Sequence, residues 1–202
     1  ADILQQAIAA HREGRLDDAE KLYKDILETS PQNANAHNLL GTIRAQQGRF
    51  NEAVEMFHLA TKAADSHGEF HRNLGHALRR AARPAEAVVA YERAAELMPD
   101  EPMLLFELSN AYRENGQTRK AIQSLRDLLA KQPNNISAMV NLGGLLMDEF
   151  RHKEAQEVLE RALRANPRVV EARVSLGRAL IERNELRQAD TEMNIGSIMQ
   201  FL

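Results

Sequence analysis

ANAHNLLGTIRAQQGRFNEAVEMFHLATKAADSH, residues 34–67, reads as two helices joined at a single glycine. Over the first half, Ala34, Leu40, Gly41, Ile43 and Ala45 recur mainly on one face of a 3.6-residue helix. Gln47-Gly48-Arg49 interrupts that pattern, and Gly48 takes a left-handed helix-ending conformation without a Cβ clash. A second apolar pattern follows in Ala53, Val54, Met56, Phe57 and Ala60, with Asn51 expected as its N-cap. Asp65 closes the stretch. Other copies carry proline in that slot, which lacks an N–H and disfavours helix just before it.

Working outward, the same pattern returns every 34 residues. Ala19, Ala53, Ala87, Ala121, Ala155 and Ala189 keep that spacing, as do Leu40, Leu74, Leu108, Leu142 and Leu176. A small residue follows each of these leucines: Gly41, Gly75, Ser109, Gly143 and Gly177. Pro31, Asp65, Pro99, Pro133 and Pro167 mark the helix ends. A fixed period of this length specifies stacked helical hairpins, each too small to bury its apolar faces alone. The expected fold is all-α, an α-solenoid of about six 34-residue helix-turn-helix repeats. They fall at about 1–33, 34–67, 68–101, 102–135, 136–169 and 170–202, with the solenoid covering 1–189.

Gly41 lets the first helix approach its partner, and Ala53 faces the same crowded contact. A larger side chain at either should cost on the order of 1–3 kcal/mol by overpacking. Large slots such as Leu40 and Phe57 supply the driving force, roughly 1.5–3 kcal/mol each.

Composition sets limits on function. The formal net charge is -3, so no global field draws the chain to nucleic acid. Cysteine is absent, which excludes disulfides and thiolate chemistry. No apolar run reaches the roughly 20 residues of a membrane span, and no secretory leader is expected. The compartment is left open by composition, with the cytoplasm favoured. No nucleophile elbow, phosphate loop, dinucleotide glycine signature or zinc-protease motif occurs, so neither catalysis nor a cofactor is expected. Asp65, His67 and His71 form a small cluster in a turn, read as solvated rather than metal-binding.

The repeats resemble the tetratricopeptide repeat. The third copy reads Leu74-Gly75, Ala87, Tyr91, Ala94 and Pro99; the fourth reads Leu108-Ser109, Tyr112, Gly116, Ala121, Leu125, Leu128 and Pro133. Departures are local. His37, His71, Leu105, Met139 and Arg173 occupy the family's early tryptophan slot, and Ala82, Phe150 and Asn184 replace the mid-repeat glycine. The resemblance implies a right-handed α-solenoid superhelix whose first helices line a concave groove where members bind peptides. It also suggests likeness to bacterial arrays fused to O-linked N-acetylglucosamine transferase-like enzymes.

On that implied groove face, Arg72, His76, Arg79 and Arg80 form a basic stripe beside Asn73. Further along the slots turn apolar: Phe106, Val140 and Val174 in one row, with Met103, Met147 and Ile181 nearby and Asn110 and Asn141 among them. The chaperone-type carboxylate clamp is not matched, because Met103 and Glu107 stand where lysine and arginine belong. An asparagine ladder is matched at Asn73 and Asn141 and interrupted by Leu39, Glu107 and Ser175.

The expected function is a non-catalytic scaffold binding an acidic and hydrophobic peptide or protein segment. Two alternatives accompany it. One is a substrate-recruiting arm of a larger glycosyltransferase or sulfotransferase. The other is a scaffold that self-assembles into a homo-oligomer through residues 190–202, a divergent helix or truncated last repeat. There Ile195, Ile198, Met199 and Leu202 make an apolar stripe.

Overall fold

A computed structural model describes residues 2–182. Among them are eleven helices and no strand. First helices are α1 (Ile3–Arg12), α3 (Ala34–Gln46), α5 (Gly68–Arg80), α7 (Met103–Glu114), α9 (Ile136–Asp148) and α11 (Val170–Glu182). Second helices are α2 (Leu16–Thr29), α4 (Phe50–Ala63), α6 (Pro84–Leu97), α8 (Thr118–Lys131) and α10 (His152–Ala165). The all-α repeat fold is therefore the one that the period specifies. The second helix expected after α11, including the Ile195–Leu202 stripe, lies outside the described residues.

The chain divides into two compact units, Ala1–Leu104 and Leu105–Leu202. In the first, α1 packs on α2, α3 on α4 and α5 on α6, and α2 and α4 each also pack on the next first helix. In the second, α9 packs between α8 and α10, and α10 packs on α11. First helices also meet their successors, α3 with α5 and α9 with α11.

The small slots sit where the helices touch. Ala19, Ala53, Ala87, Ala121 and Ala155 are all fully buried. A Cβ added to Gly41 would come within 2.9 Å of the Phe57 ring, one on Gly75 within 2.9 Å of Tyr91, and one on Gly143 within 2.6 Å of Leu159. Each of these glycines thus holds its helix at a distance that only a hydrogen at Cα permits.

All five described turns between first and second helices share one closure. The residue in the glycine slot is left-handed at Gly14, Gly48 and Gly116, with φ between 70° and 77°. Ala82 and Phe150 adopt the same region at φ 57°, so these turns keep their shape without glycine. The next residue's N–H reaches five residues back: Arg49 to the Arg44 carbonyl at 2.9 Å, Arg83 to Leu78 at 2.9 Å, Arg151 to Leu146 at 2.8 Å. This is the Schellman closure. Because the chain reverses at Gly48, Phe50 is already helical, so the cap position belongs to Arg49 and not to Asn51. Arg49 caps no backbone group with its side chain but pairs with Glu52 three residues on. Arg15–Asp18, Arg83–Glu86 and Arg151–Glu154 repeat that pairing at 2.7–2.8 Å.

A second periodic tie holds the turns between repeats. The His37 ring N–H donates to the Pro31 carbonyl at 2.9 Å and the His71 ring N–H to the Asp65 carbonyl at 3.0 Å, while Arg173 donates to the Pro167 carbonyl. Polar residues in the tryptophan slot thus satisfy a carbonyl freed by the helix end. His71 is committed to this contact, and His67 stacks on Phe70 at 4.9 Å. No group of three metal-binding side chains occurs among the described residues.

Candidate functional site

In the first unit, α3 and α5 lie side by side with the start of α4 beside them, and a pocket of about 380 Å³ opens between them. Ala45 and Ala77 leave the hollow, and Phe57 and Phe50 give it apolar surface. Thr42, Gln46, Asn73, His76 and Arg80 supply its polar groups. The pocket exists because small residues on two neighbouring first helices face aromatic residues of α4.

The polar groups are held in place. Asn73 Nδ2 donates to Asn38 Oδ1 at 3.0 Å, bridging α5 to α3, and Thr42 Oγ1 donates to the Asn38 carbonyl at 2.9 Å. His76 meets the Tyr91 ring edge-on at 5.5 Å. The exposed Arg80 guanidinium carbon sits 4.5 Å from the centre of the Phe50 ring. Such a cation over an aromatic face is stabilised by the ring quadrupole. Arg80 also lies in the last turn of α5, where a positive charge complements the helix dipole.

The structure divides the basic stripe. Asn73, His76 and Arg80 line the pocket. Arg72 lies outside its lining, 3.6 Å from Glu69, and Arg79 is half-buried and also outside it. Phe50, which sequence reasoning passed over as a site residue, forms part of the wall. Its signal was an aromatic at the first position of a second helix, where the other described repeats carry Leu16, Pro84, Thr118 and His152.

Met103 is exposed at the end of the first unit. In the second unit Phe106, Asn110, Val140 and Asn141 are half-buried, whereas Val174 is 44% and Ile181 36% exposed. Met147, expected near this row, is buried in the core at 4% exposure. The slot faces inward there, because α11 packs against α9. On α9 the face beside Val140 is open: a Cβ added to Gly144 would meet nothing within 4 Å.

Electrostatics elsewhere serve the stack. Arg44 is buried and forks both nitrogens onto the Glu20 carboxylate at 2.6 Å, tying α3 to α2. Hydrogen bonding from Arg44 holds the Glu20 carboxyl down to about 2, well below its usual 4.5. Arg93 similarly holds Asp65 below the ordinary carboxylate range, at 2.6 Å.

This arrangement of hairpins, turns and small-residue contacts defines a helical-repeat protein with a ligand-sized hollow on its first-helix face. The sequence matches the family described as Tetratricopeptide repeat over residues 10–74, 78–144 and 146–196, and the chain belongs to that family. Its members bind proteins or peptides. No curated protein matches the sequence. Among solved structures, YrrB, described as a TPR protein with an unusual peptide-binding site, is similar at TM-score 0.75 and 15% identity. The match covers 88% of this chain and 92% of that one. MamA is similar at TM-score 0.77 and 22% identity, over 82% and 91%. PilF of Pseudomonas aeruginosa is similar at TM-score 0.71 and 17% identity, over 94% and 86%. At these identities the likeness is one of fold. No helix among the described residues is long and apolar enough to cross a membrane.

Proposed function

We propose that the chain is a non-catalytic scaffold that binds a peptide or protein segment on the first-helix faces of its repeats. The ligand carries acidic and hydrophobic residues. The observation that carries this reading is the α3/α5 pocket, where an exposed arginine sits on an aromatic ring above an apolar hollow. In the second unit the row Phe106, Val140 and Val174 offers apolar surface to the same kind of segment. The fold likeness to YrrB supports a peptide as ligand.

A selection of random twelve-residue peptides displayed on phage against the whole chain tests it. Selected peptides should be enriched in Asp, Glu and large apolar residues, and should bind Arg80→Glu and Phe106→Asp variants at least about ten-fold more weakly. Peptides that bind both variants as well as the parent would remove this reading.

A further inference from the structure

We infer that the α3/α5 pocket recognises a two-part anchor within one short peptide segment: a large apolar side chain in the hollow and a neighbouring carboxylate on Arg80. This rests on the scaffold reading and deepens it, because recognition by acid and apolar groups is concentrated in one pocket of the first unit.

Size gives the first half of the anchor. A hollow of about 380 Å³ is at the small end of ligand sites, room for one large side chain rather than a helix face. Its apolar wall is Phe57, with Ala45 and Ala77 leaving the space. An aromatic or long aliphatic side chain entering it exchanges water for aromatic contact.

Arg80 gives the second half. Its only partner among the described residues is the Phe50 ring beneath it. A guanidinium held over a ring by its charge spends no N–H donor on a carbonyl or carboxylate of its own chain, so its donors stay available. Those donors match a carboxylate in bidentate geometry. The Phe50 ring holds the guanidinium in place, so little side-chain freedom is lost when the acid arrives. The arginines that open the second helices differ, since Arg15, Arg49, Arg83 and Arg151 already hold a carboxylate of their own chain.

The test uses the whole chain and fluorescein-labelled ten-residue peptides of glycine and serine with one central Asp-Phe pair, read by fluorescence anisotropy. Replacing the peptide's aspartate by asparagine, or its phenylalanine by alanine, should each weaken binding at least about ten-fold. Arg80→Gln should erase the preference for aspartate over asparagine while keeping that for phenylalanine. Ala45→Met, which fills the hollow from a half-buried position, should erase the preference for phenylalanine while keeping that for aspartate. Circular dichroism melts verify that both variants remain folded. A merely structural Arg80 would change the melt and leave peptide selectivity intact, which overturns the inference. A second peptide with acidic and apolar residues spread over twelve positions separates the two readings. If it binds and is lost in Phe106→Asp while the Asp-Phe peptide fails, the scaffold reading stands and the two-part pocket is wrong. If neither binds, both are wrong.

Discussion

Gly143 and Gly144 are neighbours in α9, yet alanine should act oppositely at the two. A Cβ at Gly143 would lie 2.6 Å from Leu159 Cδ2 and 2.7 Å from its Cγ. Leu159 is fully buried on α10, and its branch carbon cannot swing away as a chain tip could. A Cβ at Gly144 meets nothing within 4 Å. Both changes replace glycine in a helix interior, and each gains about 0.5–1 kcal/mol from the lost unfolded-state freedom and better helix propensity. Only Gly143→Ala carries the overpacking cost of about 1–3 kcal/mol. The propensity term cancels in the difference between the two variants, which therefore isolates the clash at about 1–3 kcal/mol. Urea denaturation followed by circular dichroism, with all proteins fitted to one common slope, reads this difference. Gly144→Ala should raise the midpoint and Gly143→Ala should lower it or leave it near the parent's. A difference under about 0.5 kcal/mol would refute the claim that Gly143 sets the α9–α10 spacing.

Phe150→Gly and Ala82→Gly remove a left-handed non-glycine residue, a strain of about 1–2 kcal/mol, against about 0.5–1 kcal/mol of added unfolded-state entropy. Phe150 is 82% exposed and loses almost no burial, so its variant should gain a few tenths to about 1 kcal/mol in the same denaturation assay. Glu20→Gln should cost about 1.5–3 kcal/mol at neutral pH by weakening the bidentate hold on buried Arg44. The folded-state carboxyl is depressed to about 2 from 4.5, so its contribution is present above 4.5 and fades as pH falls towards 2. The stability gap between parent and variant, measured across that range, should close in the same interval; a gap constant with pH would exclude this origin. His37→Phe leaves the Pro31 carbonyl without its side-chain donor at a helix end, and should cost about 1 kcal/mol by thermal melt.

The stack was legible in the sequence because its requirements recur. A glycine against Phe57 and a glycine against Tyr91 answer the same geometric need, so the period reports it twice. The shape of the turns was less legible. A residue at φ 57° is read from sequence as glycine, and Ala82 and Phe150 hold the same closure only because the flanking helices fix it. At the start of α4 capping propensity points to Asn51, while the Schellman closure places Arg49 at the cap, two residues earlier. The candidate pocket was half legible. Charge spacing on α5 selects Arg80, His76 and Asn73, but Phe50 comes from another helix some thirty residues away, and single-helix periodicity cannot pair the two.

Three repeats further on, in the second unit, the same slots are filled by different side chains. The positions equivalent to Phe50 and Arg80 are His152 and Glu182, and these too are neighbours: His152 Nδ1 lies 3.2 Å from Glu182 Oε2. Repeat geometry therefore decides which side chains meet, and the aperiodic residues decide whether the meeting is closed or open. At His152–Glu182 the acid lies against a ring of its own chain rather than beside an open arginine. The slot of Ala45 is there Met147, whose side chain is buried where the first unit has a hollow. Exchanging the small and large residues should exchange the properties. Met147→Ala should cost about 2–5 kcal/mol, as expected for emptying a packed site. Ala45→Met should change stability by less than about 1.5 kcal/mol, because it fills space already open to solvent. If Ala45→Met instead destabilised the chain as much as Met147→Ala does, the space beside Ala45 would be a packed contact rather than a hollow, and no ligand side chain could enter it.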